Sequence, residues 1–460
     1  MKPSVIIVSI VASLIILAGC RKQWLDAKSD KSQVVPSTLN DMQAILDNDT
    51  YMNGSITSGG GTAPSLGEMS CDDYYLIYST FTSRPEIERN AYTWEKDVYA
   101  GAPVDDWNLI YRSIFHANIV LDGLKKIEVN TSNAAVWNNC KGSALFYRAL
   151  GFYNIAQVFC KAYDPATASN DLGIPLRLDA SVTTASFRSS VQETYERVIN
   201  DLHDALELVP QQPLFKTRPG KAAVNALMAR VFLSMGDYSN ALNAADACLG
   251  ISNTLMDYNN INGALTYPFP LFNEEVIFYN RLISYTILNT PRWKVDTALY
   301  KSYDTNDKRR ALFFKTETDG TFTFRGDYNG AAIHFGGLAV DEMYCIKAEC
   351  LVRLNKVSES LSVLNTLLQK RWVTGTFTPV ATVDANEALS IILRERRKEL
   401  PLRGLRWTDL RRLNKEPQFA VTIRRILNGV EYLLPPNDSR YVFPIPDEVI
   451  ALTSMQQNER

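Results

Sequence analysis

The residues of this chain that could do chemistry are few and scattered. Two adjacent carboxylate pairs stand out, Asp72-Asp73 and Glu274-Glu275. Cleavage of a glycoside with retention needs two carboxyl groups about 5–5.5 Å apart across a sugar. Neighbours on an extended strand point to opposite faces, so neither pair alone flanks a bond. His116, His203 and His334 are far apart and have no partner at metal-ligand spacing,. No GxSxG, HExxH or Cys–His signature is present,. The chain is therefore expected not to be an enzyme and to carry neither a cofactor nor a metal. Glu395, Arg396, Arg397, Lys398, Glu399, Arg406, Asp409, Arg411 and Arg412 form a dense charge cluster. Arg–carboxylate pairing within a scaffold accounts for that cluster better than an anion site does.

Aromatic side chains are the remaining signal. A sugar offers apolar C–H faces for Trp or Tyr to stack on, and hydroxyl edges for amides, carboxylates or Arg. Candidate ligand-binding residues are Tyr74, Tyr75 and Arg84 in one irregular segment, and Arg292 and Trp293 in another. Tyr78, Tyr279, Tyr328 and Asn289 are secondary candidates in the same two segments.

Helices must position these residues. In 222–235, Ala223, Leu227, Val231 and Met235 share one face, Gly236-Asp237 breaks the run, and Ala241, Leu242, Ala245 and Leu249 line the next helix,. The string A-x-x-F-x-x-x-G-D-Y-x-x-A-L resembles a tetratricopeptide unit. It recurs 119 residues later around Ala348, Leu351, Asn355 and Leu361, with Asn355 at the turn, where Asn tolerates the left-handed conformation,. Further helices are expected at 107–124, 141–159 and 191–209. The fold class is mainly α: a tetratricopeptide-like scaffold of helical pairs with long irregular insertions forming a second, loop-rich subdomain. The expected organisation is a signal peptide at 1–19, a lipid-anchored segment at 20–49, a loop-rich insertion at 50–104 and helical repeats at 105–252. A ligand-site insertion at 253–337 and a C-terminal helical segment at 338–460 complete it. Gly59-Gly60-Gly61 lacks a following Lys-Ser/Thr and reads as a loop, not a phosphate cradle,.

The 460 residues are 46% hydrophobic, which suits a large globular core, and the formal net charge of -2 leaves no positive field for a nucleic acid,. The N-terminus is a targeting segment. Lys2 precedes the apolar run Val5–Leu17, which is too short to span a bilayer and has the length of a signal-peptide core,. Leu17-Ala18-Gly19-Cys20 then resembles a bacterial lipobox, which predicts lipidation of Cys20. The other six cysteines fall in or beside helical patterns with no CxxC pair, and read as small buried apolar residues,.

Several phrases carry a wider resemblance: VVPSTLNDMQAILDN after Cys20, DLGIP at 171–175, NEEVIF at 273–278, LRERRKELPLRGLRWTDLRRL at 393–413, FPIPDEVI at 443–450 and the terminal Gln457-Asn458. In this order they resemble the SusD/RagB family of Bacteroidetes outer-membrane lipoproteins over essentially the whole mature chain. The resemblance implies a nutrient-binding protein anchored in the cell outer membrane through the palmitate-bearing Cys20 and facing the cell surface. Such a protein captures a glycan and delivers it to a SusC-like TonB-dependent transporter. A peptide ligand, as in RagB-type proteins, and a non-enzymatic protein-docking scaffold are the alternatives. Two departures are visible: Arg403 precedes Gly404 where an acid is common, and Arg21-Lys22 follow Cys20 in place of an acidic tract.

The lipobox predicts that Cys20→Ala abolishes incorporation of labelled palmitate in cells. A Cys20→Ala protein that still carries lipid would refute the assignment.

Overall fold

A computed structural model describes residues 36–55 and 61–460. The expected signal peptide, Cys20 with its expected lipid, and part of the Gly59–Gly61 run lie outside the described residues.

The helical pairs form where the apolar spacing places them. Asp105–Leu124 packs on Ala134–Phe159, which packs on Val191–Leu208. Ser190 opens that last helix with a reciprocal capping box to Glu193,. Lys221–Met235 and Tyr238–Leu249 form the tetratricopeptide-like hairpin. Gly236 turns it with φ 78°, a left-handed conformation that costs glycine little,. In the second copy, Val340–Arg353 and Val357–Gln369, Asn355 takes φ 61° at the equivalent turn, as the recurrence predicts. Ala385–Glu399 packs on this pair around Ala348, Leu361, Leu364, Leu368 and Ile392. No helix among the described residues is long and apolar enough to cross a membrane.

The described strands pair only in two-stranded ladders, and two of them organise the insertions. Val276–Phe278 runs antiparallel to Leu338–Ala339, with Val276 opposite Ala339 and Phe278 opposite Leu338. This ladder ties residues 276–278, inside the 253–337 segment, to the residues just past that segment's end. Tyr74–Tyr75 runs antiparallel to Lys294–Val295, joining the 50–104 segment to the 253–337 segment. The 50–104 segment also carries short helices, Tyr78–Thr82 and Glu86–Thr93. A hairpin at Ile423–Leu427 and Val430–Leu434 turns through Asn428-Gly429, both at positive φ, as a tight two-residue turn requires,. Helical periodicity gives no sign of it. The six described cysteines are all buried and unbridged.

The charge cluster of the C-terminal phrase is internal. Glu399 is fully buried and binds two guanidinium groups at once: Arg309 Nη1 donates to its Oε2 at 2.8 Å and Arg371 Nε to its Oε1 at 2.7 Å. Arg309 also pairs with Asp307 and Glu395, and Arg371 with Glu275. Arg396 pairs with Asp409, and Arg412 with both Asp409 and Glu349. Arg403 pairs with Asp341 at 3.2 Å and lies over the rings of Tyr328 and Phe335. The unusual arginine before Gly404 is thus a buried partner of the scaffold.

Removing one partner from such a network leaves uncompensated buried charge, which costs about 3–5 kcal/mol. Glu399→Ala is expected to lower unfolding free energy by about that amount in urea denaturation, because two buried guanidinium groups lose an acceptor. A loss below about 1 kcal/mol, the scale of an exposed pair, would show that the network is not a structural keystone.

Candidate functional site

The Tyr74–Tyr75 and Lys294–Val295 ladder brings all five predicted ligand residues into one neighbourhood, but with unequal access. Tyr74 is buried; its hydroxyl donates to the Met69 carbonyl at 2.8 Å, and its ring meets Trp293 edge-on at 5.5 Å. Trp293 is 0% exposed and its Nε1 donates to the Leu288 carbonyl at 2.8 Å. Neither ring offers a face to a ligand, which corrects the expectation for both: they are the floor on which the surface rests. Tyr279 and Tyr328 are buried as well. Their burial follows from irregular loops having no helical stripe to hide, so that large rings supply the core instead.

Tyr75 is half-buried beside this floor. Burial, reinforced by Asp319 and Asp296, raises its phenol pKa. Arg84 and Arg292 converge on Thr286. Arg84 Nη1 donates to the Thr286 hydroxyl at 3.2 Å, and Arg292 Nη1 to the Thr286 carbonyl at 3.4 Å. Buried Glu88 fixes that residue by accepting from Thr286 N at 2.7 Å, Thr286 Oγ1 at 2.8 Å and Ile287 N at 2.8 Å. Tyr78 is 48% exposed and stacks on Phe81, so this rim keeps a usable ring.

Beside the rim, across Pro291, lies an open cleft of about 830 Å³ within the 253–337 segment. Tyr267, Tyr300, Phe314 and Pro291 give it apolar walls; Thr290, Thr305, Thr316 and Thr323 line it with hydroxyls; Arg310, Lys315, Glu317 and Arg325 supply charge. Tyr300 stacks on Phe322 with ring centroids 3.4 Å apart, and the Arg310 guanidinium lies 4.9 Å from the Tyr300 centroid. Tyr267 is half-buried and has no ring partner among the described residues. Sequence reasoning did not single out Tyr267, Tyr300 or Arg310. The available signal was Tyr267 standing immediately before Pro268 in T-Y-P-F-P, a proline-rich stretch that disfavours a regular helix or central strand,.

A buried clamp holds the loop under both surfaces. His334 donates from Nε2 to the Leu288 carbonyl at 2.9 Å, the same oxygen that receives Trp293, and from Nδ1 to Asp327 at 3.0 Å. Desolvation opposes protonation of His334, but Asp327 and the Leu288 carbonyl together carry its pKa up to about 9. Nearby Glu68 is pushed up to about 8 by burial, and accepts from Gly404 N at 2.9 Å.

The carboxylate pairs are spoken for. Asp72 takes Arg406 through two oxygens, at 2.6 and 2.9 Å, which together with Arg397 holds its pKa below the usual range despite burial. Asp73 faces Arg397 at 3.4 Å. Glu275 is buried on Arg371, whereas Glu274 is exposed. Two clusters have the spacing of cation ligands. Glu275, Asp341 and Glu399 already face Arg371, Arg403 and Arg309. In the other, Glu68, Cys71 and Asp73, the Cys71 thiol donates to Glu68 at 3.4 Å, and burial raises the pKa of both groups.

The two raised pKa values have the same sign. The stability that protonated His334 and Glu68 contribute is complete below their unfolded values, 6.5 and 4.5, and is lost as pH rises toward about 9 and 8,. Melting temperature is therefore expected to fall between pH 6.5 and 9, and His334→Gln should flatten that fall. A wild-type melting temperature that stays constant across this window would contradict the clamp.

Comparison with known proteins now bears on this arrangement. A SusD-like family described as starch-binding and associating with the outer membrane matches residues 23–233, and the SusD family matches residues 341–459. The cleft falls between the two matches. SusD-like protein P2 of Formosa agariphila is 25% identical over 442 residues, covering 82% of this chain and 84% of the relative. A SusD superfamily structure from Bacteroides thetaiotaomicron superposes with a TM-score of 0.74 at 21% identity, over 92% of this chain and 100% of the other. A laminarin-binding SusD-like protein superposes with a TM-score of 0.65 at 16% identity, over 91% and 97%. These last two likenesses speak to fold. With one SusD-like model matching residues 23–233 and the SusD family model matching 341–459, the chain belongs to the SusD/RagB family.

Proposed function

We propose that this protein captures an oligosaccharide at the cell surface, held to the outer membrane by lipid on Cys20, and delivers it to a SusC-like TonB-dependent transporter. The observation that carries the ligand class is the open cleft beside Pro291, where the unpartnered Tyr267 ring stands among threonine hydroxyls and an arginine. This is the combination a sugar needs: a flat apolar platform for its C–H face and donors and acceptors for its edges. The rim of Tyr75, Tyr78, Arg84 and Arg292 extends the same surface. A capture protein must release what it holds, and a few stacking contacts of about 1 kcal/mol each suit micromolar to millimolar binding. The role is binding and not cleavage. Glu317 is the only carboxylate among the described residues lining the cleft, and a glycosidase of the usual kind needs two,.

Tyr267→Ala is expected to weaken oligosaccharide binding about fivefold, measured by calorimetry, with the melting temperature within a few degrees of wild type. Trp293→Ala should instead destabilise the fold by about 3–5 kcal/mol, since it empties a fully buried site. If wild type binds peptides but no member of an oligosaccharide panel, the RagB-type peptide reading replaces this one.

The transporter assignment rests on family membership. Extraction of native membranes in mild detergent should bring down a barrel protein much larger than this chain. Recovery of this chain alone after crosslinking, from cells expressing a neighbouring transporter, would refute it.

A further inference from the structure

We propose that the cleft selects an acidic sugar, a uronate or a sulfate ester, with Arg310 as the residue that reads its anion; this rests on the carbohydrate reading above. Arg309 and Arg310 are adjacent in sequence and have opposite fates. Arg309 is fully buried and saturated by Asp307, Glu395 and Glu399. Arg310 is half-buried in the cleft wall, set over the Tyr300 ring, with no carboxylate partner among the described residues. Buried Arg148, Arg230 and Arg371 each pair with a carboxylate, whereas the Arg310 guanidinium keeps its charge uncompensated in the wall of the cleft.

The surrounding charges sharpen the point. Arg325 also lines the cleft, but its donors hold the carbonyls of Gly263, Leu265 and Ala311, so its positive charge is not cancelled, and burial lowers its pKa. Lys315 and Glu317 pair with each other at 3.2 Å, and Glu317 also accepts from Thr323 at 2.6 Å, which takes up the cleft's carboxylate. Just outside the lining, Asp319 faces Lys294 at 3.6 Å, and Asp304 accepts from Asn306 N in its own loop at 2.8 Å. Arg310 and Arg325 are thus left in excess inside the cleft. Arg292, exposed on the adjoining rim, adds a third positive charge whose bond is to a carbonyl. A planar guanidinium held over a ring presents its N–H edge to a carboxylate or sulfate, which it can bind through two hydrogen bonds.

The test is calorimetric titration of the purified full-length lipoprotein in detergent with three probes of similar length: tetragalacturonate, a sulfated galactan oligosaccharide and neutral laminaritetraose. At least one anionic probe should bind about tenfold more tightly than the neutral one at low salt, and lose most of that advantage at high salt. Arg310→Gln should remove the preference, weakening binding of the anionic probe far more than that of the neutral one, and Arg310→Lys should restore part of it. Which anionic probe binds tells uronate from sulfate. Equal or tighter binding of the neutral probe, or an Arg310→Gln protein with undiminished anionic preference, overturns anion selection and leaves carbohydrate capture standing. Absence of binding to all three probes overturns both.

Discussion

Glu399 sits where the chain's two kinds of structure meet, and it is held between Arg309 and Arg371 with no exposure to water. A charge in that position is tolerated only if fully paired, because an isolated buried ion loses its hydration with nothing in exchange. Arg309 belongs to the irregular 253–337 segment and Arg371 follows the second helical pair, so the geometry of one fixes the other. Glu275 binds Arg371 from the start of the strand that closes the same segment. Met256 donates its backbone N–H to Glu275 at 2.7 Å, and its carbonyl accepts from Arg371 at 2.9 Å, which brings in the segment's first residues. Ionic hydrogen bonds therefore rivet the insertion to the scaffold alongside the apolar core the two share, where Phe278 packs on Phe146 and Tyr147.

The site inherits its rigidity from this arrangement. Lys308–Phe313 is a single short helix, and anchoring Arg309 inward sets where Arg310 stands in the cleft wall. On the other side, Arg425 performs a similar task for the 50–104 segment. It lies 3.5 Å from the Tyr92 ring centroid and 4.6 Å from that of Trp94, and donates to the carbonyls of Tyr92 and Cys71. Tyr74 and Trp293 then meet between two immobilised segments, and His334 fixes the loop just before Trp293 through the Leu288 carbonyl. A shallow surface whose floor is this firmly held can orient a ligand with modest stacking energy, since little entropy is lost in ordering the protein on binding.

The two family matches bracket the cleft without covering it. The matched regions hold the helical pairs and the paired charges of the C-terminal phrase, the parts that must be right for the chain to fold. The unmatched stretch, 234–340, holds the second helix of the first hairpin and all of the cleft lining. A scaffold with its own closed network of charges can carry a segment of different composition, provided that segment keeps Glu275, Asp307 and Arg309 to dock with. Loops positioned by a rigid frame are where recognition residues concentrate.

The sequence by itself determined the helices. The three-four spacing at 223–235 and the recurrence at Asn355 define the pairs, because helix formation and close packing depend on local spacing and small residues. It also pointed to Arg–carboxylate pairing as the role of the C-terminal charges, which the structure places inside the scaffold. It could not decide which aromatic rings face outward. Tyr74 and Tyr75 are neighbours of one residue type, yet one is buried on Trp293 and the other borders solvent, because a strand alternates its faces and only the partner strand reveals which face is inner,. The same holds for Arg309 and Arg310. Their separation into core and cleft depends on Glu395 and Glu399, more than eighty residues away. Pairings of that reach leave no periodic trace in a single sequence, and only the tertiary structure brings them together.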